Sequence, residues 1–226
     1  GKLIGDRNSE IITSLLVSIS AILSAIVLYE VIFNQYQDNI IIATWINSGT
    51  LDVNWSMKID PLSSIMLVVV TSVSSLVHIY SIGYMSHDPH KPRFMAYLSL
   101  FTFAMLMLVT SDNFIQLFFG WEGVGLCSYF LIGFWFRKDT ANTAAIKAFV
   151  VNRVGDFGFA LGIFLIFYLF GTVNYSEVFE LIPTIIEKDL IFLGVKINAI
   201  DLICLLLFIG AMGKSAQILL HTWLPD

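Results

Sequence analysis

Long apolar runs separated by short polar segments dominate the chain. A helix that crosses a membrane needs about 20 predominantly apolar residues. Runs of this kind lie at 11–33, 62–84, 94–109, 114–136, 144–170 and 200–220. The pattern therefore predicts an all-α fold, a polytopic transmembrane helix bundle with about six spans.

Two of the connections between these runs contain local sequence patterns that predict helices. Asp60 followed by Pro61 is typical of a helix start, because an acidic cap and a proline in the first turn both suit an N-terminus. Between the fifth and sixth runs, residues 174–188 mix apolar and acidic side chains. That mixture predicts an amphipathic surface helix, interrupted at Pro183.

Lysine and arginine are unevenly distributed between the two ends of the predicted bundle. The end formed by the N-terminus, 85–93 and 137–143, called side one, holds six of them: Lys2, Arg7, Lys91, Arg93, Arg137 and Lys138. The opposite end, side two, comprises 34–61, the turn at 112 and 171–197, and it holds three: Lys58, Lys188 and Lys196. Because short loops rich in Lys and Arg face the cytoplasm, we expect side one to face the cytoplasm or its organellar equivalent.

The composition supports an integral membrane protein. The 226 residues are 57% hydrophobic and 13% charged, whereas a soluble domain carries about 25% charged residues. The net charge of −5 comes without a basic block, which argues against nucleic acid as a partner. Because the chain starts without Met and ends directly after an apolar run, we expect residues 1–226 to be one transmembrane domain from a longer protein.

The sequence predicts no cofactor or metal site in this chain. Cys127 and Cys204 both lie in apolar runs without a CxxC partner, and the four histidines show no ligand spacing. An iron–sulfur cluster needs four ligands, usually thiolates. A GxGxxG loop for a dinucleotide is also missing from the sequence.

Glu122 and Lys214 fall inside two of the predicted spans. An ionisable side chain at membrane depth costs at least ~2.5–3.5 kcal/mol, and such groups face a protein interior or wet cavity and pair with one another. The two residues therefore predict a proton or ion path, and we expect them to lie within ion-pair reach or one water apart. The alternatives are a structural buried pair and, for Lys214, a side chain that reaches to the nearest interface.

The fifth span adds Arg153 and Asp156, which share a helix face at i, i+3. Asp156 either forms an ion pair within this helix or contacts Glu122 or Lys214 from a neighbouring one. His221, beyond Lys214, is a further candidate for the path. A lone histidine on an apolar helix, such as His78, is more typical of hydrogen-bonded packing.

Three motifs give the chain a family resemblance. WEGVGLCSYFLIGFWF, KAFVVNRVGDFGFALG and GKSAQILLHTWLPD resemble the largest antiporter-like subunit of respiratory complex I, the subunit 5 type of proton-pumping NADH:quinone oxidoreductase. DPLSSIMLVVVTSVSSLVHIYSIGYM and DNFIQLFFGWEGVG extend the resemblance to most of residues 5–226. The resemblance implies an antiporter-like fold of two inverted helix repeats, with this chain holding most of the first.

The resemblance also implies roles for individual residues. Glu122 matches the family's pumping glutamate, Lys214 matches the lysine of its broken helix, and Asp156 matches the aspartate near them. The family often has proline or glycine where this chain has Leu219. The predicted break in the last span would then depend on Gly210 and Gly213.

The function implied by the resemblance is proton translocation, coupled to electron transfer from NADH to quinone in other subunits. The chain would be part of a translocase in an energy-transducing membrane, either a bacterial plasma membrane or a mitochondrial inner membrane. NAD, FMN, iron–sulfur clusters and quinone would bind to partner subunits. The alternatives are the large subunit of an Mrp-type sodium/proton antiporter and a purely structural membrane subunit.

Overall fold

The computed structural model describes residues 5–192 and 194–225, so that Lys2 of side one lies outside the described residues. The helices of the described part are α1 (Asp6–Phe33), α2 (Pro61–Tyr84), α3 (Lys91–Val109), α4 (Phe114–Ile132), α5 (Asp139–Phe170), α6 (Tyr175–Ile185) and α7 (Ala199–Lys214). The strands are β1 (Asp38–Ser48), β2 (Leu51–Ile59), β3 (Asp189–Phe192) and β4 (Val195–Asn198).

The apolar helices coincide with the predicted spans. Five of them, α1 to α5, are long and apolar enough to cross a membrane. The sixth predicted span contains α7, which has 16 residues and is therefore about 24 Å long. The mostly helical, multi-pass architecture expected from the sequence is confirmed.

Local chemistry explains where two of these helices begin. The Asp60 carboxylate accepts a hydrogen bond from the Ser63 backbone N–H at 2.7 Å, and the Ser63 hydroxyl accepts one from the Asp60 N–H at 2.9 Å, with Pro61 in the first turn. The start of α5 at Asp139 lies earlier than the predicted span. An acidic residue in a first turn is favourable because the helix N-terminus carries partial positive charge.

The end of α4 differs from the prediction for a clear reason. The helix stops at Ile132, and residues 133–137 form turns at side one. Arg93 donates a hydrogen bond to the Phe134 carbonyl at 3.0 Å, and its guanidinium packs on the rings of Phe134 and Phe136. The apolar residues after Ile132 therefore belong to an arginine-bound turn and not to the span.

Two antiparallel hairpins occupy segments that the sequence analysis left as connections. Strands β1 and β2 pair from Asp38↔Ile59 to Ser48↔Leu51, and β3 pairs with β4. The β1–β2 hairpin turns at Gly49 and Thr50, and Gly49 has a positive φ of 62°. Both hairpins lie outside the spans, so the bundle itself remains helical.

The predicted surface helix is present as α6, but its interruption is not. Pro183 lies inside the helix, which continues to Ile185. Since Pro183 is so close to the end, its missing N–H removes one of the last hydrogen bonds only.

Hydrogen bonds gather the predicted side-two segments at one end of the bundle. The Gln116 side chain accepts from the Ser56 N–H at 2.9 Å and donates to the Ser56 carbonyl at 2.7 Å, so that α4 holds β2. The Tyr175 N–H donates to the Asp112 carbonyl at 3.1 Å. Burial raises the pKa of the Tyr175 phenol, whose hydroxyl lies 2.9 Å from that of Ser111.

The predicted side-one segments meet at the other end. The Trp135 indole N–H donates to the Asp88 carboxylate at 2.9 Å and lowers the pKa of Asp88. The grouping of the loops into two sides therefore agrees with the prediction.

The helices form two packed groups. Helices α1, α2 and α3 contact one another, while α5 lies between α4 and α7, and α3 joins the groups by packing on α4. Polar contacts link the first group internally, such as Ser18–Ser75 at 2.7 Å and Ser74–Thr102 at 2.5 Å. The second group contains the charged residues that the sequence singled out.

Candidate functional site

Glycines bring α5 and α7 into close contact. A Cβ atom added at Gly155 would stand 3.2 Å from the Gly213 Cα, and one added at Gly210 would stand 2.5 Å from a ring carbon of Phe159. Small residues at a helix interface allow backbones to approach in this way. Gly210 and Gly213 are therefore packing residues inside α7, and the expectation that they would break the helix is wrong.

The break lies after these glycines. Helix α7 ends at Lys214, and residues 215–225 form turns in which Ala216 and Leu219 have positive φ values of 48° and 80°. The Trp223 indole N–H donates to the Gly213 carbonyl at 3.1 Å, which satisfies one acceptor at the helix end. The predicted span 200–220 is therefore helical only as far as Lys214, and Leu219 lies in the turns beyond it in a conformation that favours glycine.

Four charged side chains of α4, α5 and α7 form a continuous series, called here the charge chain: Glu122, Arg153, Asp156 and Lys214. Arg153 forms an ion pair with Glu122, and its Nη1 atom lies 3.7 Å from Asp156 Oδ2. The Lys214 ammonium lies 3.7 Å from the same Asp156 oxygen. Asp156 thus lies between two cations, and both arrangements considered for it occur together.

Glu122 and Lys214 do not form the direct ion pair considered in the sequence analysis. Within the described residues, Arg153 is the ion-pair partner of Glu122, and Asp156 connects Arg153 to Lys214. The Lys214 ammonium nevertheless reaches α4, because a Cβ atom at Gly125 would stand 2.5 Å from it. The charge chain therefore crosses from α4 to α5 and then to α7.

The Asp156–Lys214 half of the charge chain is more buried than the Glu122–Arg153 half. The Arg153 and Glu122 side chains are 37% and 24% exposed, whereas those of Lys214 and Asp156 are 17% and 4% exposed. Each half contains one positive and one negative side chain, so the four residues together are neutral. A buried group of this kind is far less costly than isolated charges in hydrocarbon.

Trp121 holds the central carboxylate. Its indole N–H donates to Asp156 Oδ1 at 2.6 Å, and its ring stacks on Phe159 with centroids 4.8 Å apart. The Lys214 ammonium lies 5.9 Å from the Trp121 ring centroid. The sequence analysis missed Trp121, although its position directly before Glu122 was an available signal.

Three buried polar atoms beside the charge chain have no hydrogen-bond partner among the described residues: Asn152 Oδ1, Asp156 Oδ2 and Lys214 Nζ. Asn152 precedes Asp156 by four residues and therefore shares its helix face. Buried polar atoms of this kind are usually satisfied by ordered water. We therefore expect ordered water beside these three atoms.

The two candidate histidines lie outside the charge chain. His221 is exposed in the turns after α7, and its described contact is a backbone hydrogen bond to Leu224. His78 is fully buried, with Nδ1 2.8 Å from the Ser74 carbonyl and Nε2 3.2 Å from the Ser99 hydroxyl. Because a carbonyl can only accept, Nδ1 carries the proton, and the expectation of a packing role for His78 is confirmed.

Within the described residues, three or more His, Cys, Asp or Glu side chains nowhere converge as a metal site would require. Cys127 is buried and Cys204 is exposed, and each is a free thiol.

A multi-pass bundle with a paired charge chain beside the end of α7 agrees with the class of antiporter-like membrane subunits, which the family models identify. The family model described as NADH:quinone oxidoreductase/Mrp antiporter, TM, matches residues 111–226. The model for the NADH-ubiquinone oxidoreductase (complex I) chain 5 N-terminus matches residues 45–95. The chain therefore belongs to the NADH:quinone oxidoreductase/Mrp antiporter transmembrane family.

Relatives with high identity are named chain 5 of NADH-ubiquinone oxidoreductase or subunit L of NADH-quinone oxidoreductase. The chain is 58% identical over its whole length to NADH-ubiquinone oxidoreductase chain 5 of Arabidopsis thaliana, covering 34% of that protein. It is 53% identical to NADH-quinone oxidoreductase subunit L of Rhodobacter capsulatus, covering 32% of it. The chain thus spans about a third of the length of these curated relatives.

Two solved structures share the fold. The Mrp complex from Dietzia sp. matches with a TM-score of 0.72 at 21% identity, over 98% of this chain and 25% of that chain. The membrane-bound sulfane sulfur reductase, an archaeal respiratory membrane complex, matches with a TM-score of 0.77 at 16% identity, over 96% of this chain and 41% of that chain. At these identities, the likeness concerns the fold alone.

Proposed function

We propose that this chain belongs to a chain 5-type membrane subunit that translocates protons, driven by electron transfer from NADH to quinone in other subunits. The observation that carries the proposal is the charge chain, which links Glu122 to Lys214 through Arg153 and Asp156. The names of the relatives, at 53–58% identity, supply the coupling to NADH and quinone.

The charge chain can act as an electrostatic switch. An arginine stays protonated in proteins, so Arg153 moves between partners and does not itself release a proton. With Arg153 drawn to Glu122 and only 3.7 Å from Asp156, Asp156 still stabilises the charged form of Lys214. With Arg153 turned towards Asp156, that stabilisation weakens and Lys214 can release its proton.

Water supplies the route for the transferred proton. The buried Asn152 Oδ1, Asp156 Oδ2 and Lys214 Nζ atoms lack a hydrogen-bond partner among the described residues, near the end of α7. The turns after Lys214 leave backbone groups that a continuous helix would have paired, which is tolerated at membrane depth where the backbone lines a cavity. His221 lies further along this route and remains a candidate for the next proton acceptor.

The proposal places the remaining chemistry elsewhere. NAD, FMN, iron–sulfur clusters and quinone would be held by partner subunits, and other membrane subunits would pack on this one. The protein would lie in an energy-transducing membrane, with side one towards the cytoplasm or its organellar equivalent. The described chain would form most of the first helix repeat of the longer subunit.

An Mrp-type sodium/proton antiporter subunit is the second candidate, because the family includes both classes and an Mrp complex shares the fold. The activity of the purified complex distinguishes the two candidates. A chain 5-type subunit copurifies with NADH oxidation that reduces quinone, whereas an antiporter exchanges sodium for protons without NADH.

The direct test is Glu122→Gln in the assembled complex. Glutamine keeps the volume of the side chain but loses the negative charge that draws Arg153 away from Asp156, so Arg153 would move closer to Asp156 and weaken its interaction with Lys214. We expect assembly to be retained and both NADH oxidation and proton uptake by membrane vesicles to fall. Glu30→Gln is the matched control, since Glu30 is exposed near the end of α1 and the described hydrogen bond of its carboxylate comes from the neighbouring Asn34 side chain.

Equal amounts of assembled complex are compared in both assays. Unchanged pumping per electron and an unchanged rate in Glu122→Gln would make Glu122 a structural carboxylate and would favour the purely structural alternative.

A further inference from the structure

A polar cavity at side one lies apart from the charge chain. It has a volume of about 150 Å³ and is lined by Arg93, Tyr97, Tyr129, Phe130 and Asn142, among others. These residues come from the start of α3, the end of α4 and the start of α5. The cavity is therefore enclosed by three helices where they reach one face of the predicted membrane.

Arg93 is fixed in this cavity with hydrogen-bonding capacity to spare. It donates to the Phe134 carbonyl at 3.0 Å, and its guanidinium lies 4.6 Å from the Phe134 ring centroid and 5.1 Å from that of Phe136. A guanidinium has five N–H donors. Its Nε group is buried without a hydrogen-bond partner in the described part of the chain, so the arginine is preorganised but unsatisfied.

Two further donors line the same space. The hydroxyls of Tyr97 and Tyr129 form no hydrogen bond with a described residue, while their rings are held by aromatic contacts to Phe130 at 5.2 and 5.8 Å. A guanidinium and two hydroxyls around one cavity provide donors for an anion with several oxygens.

The surrounding charge is positive. Lys91, Arg137 and Lys138 lie on the same side, and no ion pair joins them or Arg93 to an acid of the described residues. The nearby Asp88 accepts a hydrogen bond from the Trp135 indole and interacts with Arg93 only through longer-range charge attraction, without an ion pair. Asp88 and Asp139 offset part of this charge, and the four basic residues leave an excess of positive charge that a bound anion would balance.

We propose that this cavity binds the phosphate of an anionic phospholipid. Basic pockets between transmembrane helices at the cytoplasmic or matrix side bind lipid headgroups of this kind, and the predicted orientation places the cavity there. Its volume equals about five water molecules at ~30 Å³ each. The phosphate therefore fits inside, while the acyl chains would lie outside along the apolar helix surfaces.

The position along the helices agrees with a headgroup. Arg93 is the third residue of α3, and Tyr129 lies one turn before the end of α4. Both are within about 5 Å of their helix ends at 1.5 Å per residue. Phe130, Phe134 and Phe136 also line the cavity, and aromatic side chains are enriched at membrane interfaces.

The test uses the assembled complex containing the full-length protein, in phosphatidylcholine vesicles with a minor fraction of photoreactive phosphatidylglycerol. Crosslinked peptides are identified by mass spectrometry. We expect label on residues 91–97 and 129–136, and excess unlabelled phosphatidylglycerol should remove it. Excess phosphatidylcholine should not compete. Competition by glycerol phosphate alone would show that the cavity takes a free phosphate and would overturn the lipid assignment.

Arg93→Gln should reduce this labelling by about fivefold or more. Arg137→Gln is the matched control, because it removes the same charge from the same side at an exposed residue outside the cavity. The double substitution Tyr97→Phe with Tyr129→Phe removes the hydroxyls, keeps the rings, and should also reduce labelling. If Arg93→Gln fails to assemble, this double substitution serves as the test of the lipid site.

Equal labelling in the cavity variants and in Arg137→Gln would refute the site, as would equal labelling by photoreactive phosphatidylcholine. A complete lack of label at this cavity in the unmodified protein would show that another protein segment covers it, and would also overturn the proposal.

Discussion

Gly125→Ala should displace Lys214 without altering any charge. The added Cβ would stand 2.5 Å from the Lys214 ammonium. An ordinary contact of this kind is roughly 3.5 Å, so the ammonium must move by about 1 Å. This movement changes its 3.7 Å separation from Asp156 Oδ2.

The size of the effect follows from Coulomb's law. At an effective dielectric constant of ~20, a 1 Å change in a separation of this size alters the interaction by about 1–1.5 kcal/mol. That energy corresponds to roughly a five- to tenfold change in the protonation equilibrium of Lys214. We therefore expect the pH profile of NADH-driven proton pumping to shift by up to about one pH unit.

The assay measures proton uptake by vesicles over a range of pH, at equal amounts of assembled complex. Gly123→Ala is the control on the same helix, because its added Cβ would stand 3.0 Å from the Ala104 Cβ and would meet no charged group. An unchanged profile in Gly125→Ala, or an equal shift in Gly123→Ala, would refute the view that the position of Lys214 governs pumping.

Two further substitutions test neighbouring parts of the site. Trp121→Phe keeps an aromatic ring to stack on Phe159 but removes the N–H that donates to Asp156 at 2.6 Å. Because a hydrogen bond to a charged group contributes about 1.5–3 kcal/mol, proton pumping should fall about tenfold or more with assembly retained. Normal pumping would contradict a positioning role for Trp121. Leu219→Gly should leave pumping intact and raise thermal stability by about 1 kcal/mol, because Leu219 has a φ of 80° and is 80% exposed. Ile218→Gly is the control, because Ile218 is comparably exposed and has no positive φ, and it should lower the thermal unfolding temperature. The same decrease in Leu219→Gly would show that the Leu219 side chain stabilises the protein.

The sequence located the spans because membrane burial depends on runs of apolar residues, which a single chain displays directly. It did not reveal the β1–β2 hairpin, although Gly49 and Thr50 separate two runs rich in β-branched and aromatic residues. Those runs were interpreted only as a connection because they are too short to span a membrane. The end of α4 was misplaced because Arg93, distant in sequence, binds the turn after Ile132.

The four members of the charge chain were predicted because charged residues in apolar runs are costly and therefore conspicuous. Their pairing was not predicted, since the choice between Arg153 and Lys214 as partner of Glu122 depends on how α4, α5 and α7 rotate about their axes. Helix spacing gives the shared face of Arg153 and Asp156 but says nothing of rotation between helices. The glycines were assigned to the break when their smallness instead serves the contact between α5 and α7.

The distribution of the charge chain over three helices also constrains how the protein is made. Glu122 lies in α4, which precedes the helices of its partners along the chain and can enter the membrane before them. A lone charge in a span costs at least ~2.5–3.5 kcal/mol, so α4 must either wait for α5 at the insertion site or enter with Glu122 protonated. The arrival of α5 adds one positive and one negative charge, and the group then still carries a net negative charge. The charge chain becomes neutral only when α7 packs on α5 and Lys214 contacts Asp156. We therefore expect this part of the bundle to reach its stable packing in the membrane only after α7 has been synthesised.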